Sequence, residues 1–230
     1  MSDEGGNQIV MTADGSHSIH SKRFAVAYHS THGAVQESEH VFLQAGLIPL
    51  VQSGQRTIMI LEMGFGTGLN ALLVRRLATQ YPDVTFCYHT LEQFPLTKEE
   101  AALLNYPEQL AVPKSDLQEL HELSWGELLP VTANFHLEKQ RSDFLQGLPA
   151  WPEGVMDLIF YDAFAPASQP ELWTPAAINI CFRALRPGGI LVTYCAKGQY
   201  KRDLKAAGFA VEALPGPPGK REMTRATKQN

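Results

Sequence analysis

Five short segments rich in apolar residues, separated by stretches in which apolar residues return every three or four positions, set the frame for this chain. Thr57-Ile-Met-Ile-Leu61 is too short for a capped helix and too uniformly apolar for a half-exposed strand, so it predicts a strand buried on both faces. Val84 to Leu91, Asn134 to Glu138, Met156 to Tyr161 and Ile190 to Cys195 predict four more. The intervening periodicity predicts helices over Leu69 to Tyr81, with Leu72, Leu73 and Leu77 on one face, and over Thr97 to Leu104. It predicts two others, from Pro175 to Leu185, closed by Arg186-Pro-Gly-Gly189, and from Tyr200 to Ala207, ended at Gly208. The tail carries further strand segments around the turn Pro215-Gly-Pro-Pro-Gly219. Alternation of this kind predicts an α/β fold with a doubly wound, mostly parallel sheet. Upstream, Gly15 to Tyr28 reads as β-hairpin material ending near Thr31-His-Gly33, and Glu37 to Ala45 as a short helix turning Val41 and Phe42 inward. The first ten or so residues read as a loose terminus. The expected organisation is one domain over 1–230, with a β-rich extension to about residue 55 and a Rossmann-like core from 56 onward.

Composition narrows the function. The net charge of −5 over 230 residues is not that of a protein relying on general attraction to phosphates, so a nucleic-acid substrate would need a local basic patch. Cys87, Cys181 and Cys195 lie far apart inside apolar runs, as buried free thiols of a reducing compartment do, and the eight histidines lack a metal-ligand spacing. No metal is expected. No stretch approaches the roughly 18 to 20 apolar residues of a membrane span, and Met1 to Gln8 lacks the apolar core of a signal peptide. A soluble, cytoplasmic protein is expected.

The densest chemical signal is Glu62-Met-Gly-Phe-Gly-Thr-Gly-Leu-Asn70, a glycine-rich turn between the first buried strand and its helix. Such a turn brings backbone close to a ligand at the carboxyl edge of the sheet. Gly64, Gly66 and Gly68 are spaced G-x-G-x-G rather than the G-x-G-x-x-G of dinucleotide sites, and Glu62 would repel a pyrophosphate. S-adenosylmethionine (SAM) has no phosphate and carries a cationic amino-acid end, which favours it over NAD; a purely structural tight turn is the alternative. Glu92, after the second strand, is placed to accept both ribose hydroxyl protons. Asp143 after the third could reach the adenine amino group, with Phe144 beside the ring, or could serve only as a helix cap.

The fourth strand sharpens the picture. Asp157-Leu-Ile-Phe-Tyr-Asp162-Ala-Phe-Ala-Pro166 with Pro170-Glu-Leu-Trp173 closely resembles the 5-methylaminomethyl-2-thiouridine methyltransferases of tRNA wobble-uridine modification, known as MnmD or as the amino-terminal domain of bifunctional MnmC. Gln36-Glu-Ser38, His40-Val-Phe42, Glu92-Gln-Phe-Pro-Leu96, Arg186-Pro-Gly-Gly189, Thr193-Tyr-Cys-Ala-Lys-Gly198 and Gly219-Lys-Arg-Glu-Met223 agree, over about residues 24 to 227. Relatives often place glycine where Ser142 stands. The resemblance implies a Rossmann-like class I SAM-dependent methyltransferase, with SAM held also by Asn70, Gln93, Tyr28 and Glu37. Because the bifunctional relatives continue into a flavin-dependent oxidase and this sequence stops at Asn230, the stand-alone form is expected.

The implied reaction is methyl transfer from SAM to the primary amine of 5-aminomethyl-(2-thio)uridine at the wobble position, making the tRNA anticodon stem-loop the partner. Asp162, at the end of a buried strand, is the expected catalytic residue, aiming the amine at the methyl carbon; a strand-end cap is its plain alternative. Phe164 and Pro166 could wall a pocket for a flipped base or merely shape their loop. Lys197, Lys201, Arg202, Lys220, Arg221 and Arg225 concentrate positive charge in the last third of the chain, the expected anticodon-stem patch, with Glu222 beside it. The competing readings are aminopropyl transfer from decarboxylated SAM and a SAM- and tRNA-binding module without catalysis.

Overall fold

The amino-terminal alternation folds as three antiparallel strands, β1 (Gln8–Met11), β2 (His17–Ser21) and β3 (Val26–Ala27), in the order β1-β2-β3. The computed structural model describes residues 7–148 and 151–229. Residues 1–6 of the expected loose terminus therefore lie outside the described residues, and residues 8–11 belong to β1 rather than to a loose end. Gln36 N donates to Asp14 Oδ2, and Ala34 N to Thr12 Oγ1 and Ser16 Oγ. The β1–β2 turn thus satisfies the free amides at the start of α1 (Ala34–Ser38).

Helix α1 runs without a break into a π-helical stretch, Glu39–Leu47, and then α2 (Ile48–Gln52), more than twice the span expected from Glu37 to Ala45. Pro49 lies inside this continuous helix, where a proline removes a backbone donor. The wider π register ends two residues before it, and irregular hydrogen bonding of this kind is where a helix can carry a proline. Val41 and Phe42 are buried as expected.

The remaining elements alternate. They are β4 (Thr57–Met63), α3 (Leu69–Ala78), β5 (Thr85–Leu91), α4 (Lys98–Ala102), α5 (Tyr106–Leu110), α6 (Lys114–Glu122), β6 (Leu129–Pro130), β7 (Phe135–Gln140) and α7 (Phe144–Gly147). Then come β8 (Met156–Phe160), α8 (Pro175–Ala184), β9 (Leu185–Thr193), α9 (Gly198–Ala206), β10 (Phe209–Pro215) and β11 (Glu222–Lys228). Helices α5 and α6 and strand β6 were not foreseen from the periodicity. The second sheet has the order β10-β11-β9-β8-β4-β5-β7-β6; the five central strands are parallel, and β10, β11 and β6 are antiparallel.

Successive residues of the central strands feed opposite faces. Ile58, Ile60, Leu158 and Phe160 pack with α3 and the long amino-terminal helix, while Leu61, Met63, Ile159 and Tyr161 pack with α8 and α9. This is a doubly wound, mostly parallel α/β arrangement with a separate antiparallel amino-terminal sheet. Arg186-Pro-Gly-Gly189 lies inside β9 as a bulge, where pairing jumps from Met156↔Leu185 to Leu158↔Ile190. No helix among the described residues is long and apolar enough to cross a membrane.

Candidate active site

Strand order turns three separated carboxylates into neighbours. β4 lies between β5 and β8, the point where the chain reverses its winding direction, and in parallel α/β sheets that point opens a crevice at the carboxyl ends. Glu62 is the penultimate residue of β4, Glu92 directly follows β5, and Asp162 stands two residues beyond β8; Asp143 follows β7 one strand further out. Together they border one cleft at the carboxyl edge of the sheet.

The acids are held in different ways. Asn70 Nδ2 donates to Glu62 Oε1 and to Asp162 Oδ2, both at 2.9 Å. Glu62 is buried, and its proton affinity is pushed well up, first by desolvation and next, among the raising causes, by the charge of Asp162. Burial also pushes Asp162 up to about 7, with Glu37 adding and Asn70 and Lys220 opposing. Glu92 accepts from Gly66 N (2.9 Å) through Oε2 and from Phe94 N (2.7 Å) through Oε1, so it braces the glycine turn. Asp143 caps α7, its Oδ1 accepting from Leu145 N and Gln146 N, while also facing the cleft with Ser142 and Phe144. The cap and the site role are compatible, because Oδ2 is left over.

The glycine turn is a conformational necessity. Gly64, Gly66 and Gly68 have φ of 85, 50 and 75°, a region that costs residues with a Cβ. At Gly66 a Cβ would stand 3.0 Å from the Tyr28 ring. Behind the turn, His121 Nε2 donates to Thr67 O, and buried Lys139 donates to the last carbonyls of α6, Leu120 O and His121 O, at 2.7 Å. Burial lowers His121 to about 4 and Lys139 to about 8. These two supports were missed, because α6 was.

The amino-terminal sheet closes the cleft from above. Phe164 lies 4.7 Å from the Phe24 ring and 4.9 Å from that of Tyr28, a three-ring clasp across the opening. Phe24, His29, Phe65, Phe94, Gln169 and Leu172 also line the cleft and were not named as site residues from the sequence. Only a chain reversal near Ala25, at φ 54°, aims Phe24 inward, and nothing in the local sequence announced it.

Of the expected cofactor residues, Tyr28, Glu62, Gly64, Gly66, Asn70, Glu92, Gln93, Asp143 and Phe144 line this one cleft together with Asp162 and Phe164. Gly68 instead ends the turn as the left-handed cap of α3. Glu37 is not among the lining residues: it accepts from Ser30 N and from Lys220 Nζ (2.5 Å), with the Lys220 ammonium 3.9 Å over the Tyr194 ring. Pro166, Lys197, Lys220, Arg221 and Glu222 gather instead along an open groove with Ala165 and Tyr194, so the loop from Asp162 to Pro166 separates cleft from groove. Lys201 pairs with Glu222 and Arg225 with Glu212, whereas Arg202 donates to Gln199.

Among the described residues no lysine or arginine lines the cleft, and its charged residues are acidic. That lining fits a cation and a diol better than phosphates, and so fits SAM. Fold and site together define a class I SAM-dependent methyltransferase. Residues 124–229 match the family described as S-adenosyl-L-methionine-dependent methyltransferase. Over 217 residues the chain is 34% identical to the tRNA 5-methylaminomethyl-2-thiouridine biosynthesis bifunctional protein MnmC of Cupriavidus necator, covering 90% of this chain and 32% of that protein. The Aromatoleum aromaticum protein of the same name is 33% identical over 216 residues, with 89% and 33% covered. The chain thus spans about a third of the length of these relatives. The crystal structure of MNMC2 from Aquifex aeolicus matches with a TM-score of 0.82 at 27% identity, over 97% of this chain and 71% of that one. The chain is an MnmC-like SAM-dependent methyltransferase, homologous to the MnmC methyltransferase domain.

Proposed function

We propose that this protein methylates the primary amine of 5-aminomethyl-(2-thio)uridine at the tRNA wobble position, giving the 5-methylaminomethyl base and S-adenosylhomocysteine. The observation that carries the proposal is the location of Asp162, on the boundary between the acidic cleft and a groove bearing Lys197 and Arg221. Relatives named for 5-methylaminomethyl-2-thiouridine biosynthesis in tRNA support the choice of substrate.

SAM supplies an electrophilic methyl carbon on a sulfonium. Glu62 would hold its cationic amino-acid end, Glu92 its ribose hydroxyls, and Asp143 with Phe144 its adenine. Bound SAM would give its methyl group to the amine nitrogen, the electron pair of the S–C bond staying on sulfur as the N–C bond forms. An alkyl amine has a reference pKa of about 10.4, so it arrives mostly protonated and must lose a proton to attack. A carboxylate pushed up to about 7 is a far better proton acceptor at neutral pH than an ordinary aspartate. Asp162 therefore orients the amine and accepts its proton, and Lys220 nearby disfavours the ammonium form. The groove takes the ribose-phosphate backbone, with Pro166 against the base.

The test is mass spectrometry of nucleosides from tRNA carrying 5-aminomethyluridine after incubation with the protein and SAM. One added methyl on that base, lost with Asp162→Ala while SAM binding persists, is expected. Persistent SAM binding with no added methyl in the unaltered protein would refute the substrate.

A further inference from the structure

We propose that Asn70 is a positioning residue that ties Glu62 and Asp162 into one unit, so that the carboxylate on the cofactor side and the carboxylate on the groove side respond together. This deepens the proposed function and rests on the role given there to Asp162. The geometry is direct: one amide nitrogen donates to Glu62 Oε1 and to Asp162 Oδ2, each at 2.9 Å. An amide nitrogen has two hydrogens, and both are committed. Asn70 therefore has no donor left for a bound molecule, which separates its role from that of a ligand-binding amide. Facing two ionised carboxylates, the amide nitrogen is the atom of Asn70 that can donate to both.

Other groups surround the pair without replacing the amide. The Tyr88 hydroxyl from β5 interacts electrostatically with Glu62 but forms no hydrogen bond of good geometry, and Asn70 Oδ1 is buried and unbonded. Glu92 faces Glu62 from the end of β5. Asp162 is faced by Glu37 of α1, Lys220 of the β10–β11 turn, Tyr194 after β9 and Tyr106 of α5. Substitution at Asn70 leaves all of these in place. A donor to an ionised carboxylate favours the ionised form, so without the amide both acids hold their protons to higher pH. Asp162 also loses what keeps its carboxylate turned toward the cleft. Because the two acids share a donor and repel each other, they titrate as a pair rather than as separate groups.

The experiment needs no tRNA. SAM affinity is measured by equilibrium dialysis for wild type and Asn70→Ser from about pH 5.5 to about pH 9. Serine suits the first turn of a helix, and its one short hydroxyl cannot reach both acids. Affinity for the cationic cofactor rises as the acids ionise. Its midpoint in Asn70→Ser is expected to lie about one pH unit or more above that of wild type, the size of a lost charge-assisted hydrogen bond. General loosening lowers the number of binding sites without moving the midpoint. An unchanged midpoint in a variant that still binds overturns the proposal. If the variant does not fold, the Asn70 Nδ2 proton resonances of the wild type decide: shifts that follow the affinity midpoint support the bridge, and shifts independent of pH overturn it. Failure to methylate aminomethyluridine would refute the substrate and leave this result unaffected.

Discussion

A carboxyl group that burial makes reluctant to ionise works against the stability of the empty protein. Asp162 in the folded chain holds its proton to about 7, against 3.8 for the free side chain, so between those values the folded state binds more protons than the unfolded one. Stability from this group is therefore greatest below pH 4 and falls as pH rises toward 7. Asp162→Asn keeps the shape and the acceptor for Asn70 but removes the charge. We expect it to melt higher than wild type above pH 7, by roughly 1–2 kcal/mol after allowing for solvent at the cleft mouth, or several degrees. The gap should close near pH 4, and turnover should be lost throughout. Thermal melts of both proteins across pH check this, and a variant that melts lower at pH 8 would contradict it. The acids themselves were legible in the sequence, since each lies just past an apolar run and the end of a strand is a local signal. The Glu37–Lys220 pair was not: 183 residues separate the partners, and only the fold brings them together.

Among the elements, those built from local rules were easily read and those fixed by tertiary contacts were not. The five parallel strands announced themselves through apolar runs, and the turn from β4 into α3 through its three glycines. Helix α6 shows only Leu117 and Leu120 as buried apolar residues in a polar stretch, too little periodicity to stand out. Its functional part, holding Thr67 through His121, followed from packing alone. The turn carries a prediction of its own. Gly66→Ala combines a backbone angle that costs about 1–3 kcal/mol for a non-glycine residue with a Cβ 3.0 Å from the Tyr28 ring. SAM binding should fall at least about tenfold. Removing the ring separates the two causes: in Tyr28→Ala the same change should cost distinctly less, because only the backbone strain remains. Calorimetric titration of the four proteins of this cycle gives the answer. Equal penalties in both backgrounds would mean that Tyr28 does not press on the turn.

For the molecule as a whole, the proposed substrate asks a protein with a net charge of −5 to engage a polyanion. The structure divides five of the six cationic residues of the expected patch into two sets that the sequence could not distinguish, Arg202 being bonded to Gln199 away from the groove. Lys220, Lys201 and Arg225 are paired with Glu37, Glu222 and Glu212, and reversing any of them would break an internal contact before it affected a ligand. Lys197 and Arg221 are exposed, line the groove beside Pro166 and have no ion-pair partner among the described residues. They are the pair available to phosphates. Each phosphate neutralised on a single-stranded loop contributes roughly 0.7 to the slope of log affinity against log salt. Lys197→Glu with Arg221→Glu should therefore weaken tRNA binding strongly at low salt and reduce that slope by roughly 1.4. SAM affinity should be unchanged, since neither residue lines the cleft. Filter-binding titrations at several salt concentrations supply the slope. A double variant with wild-type slope and affinity would move the RNA path off this groove, and would leave the Asp162 cleft to be reached from the side closed by Phe24 and Tyr28.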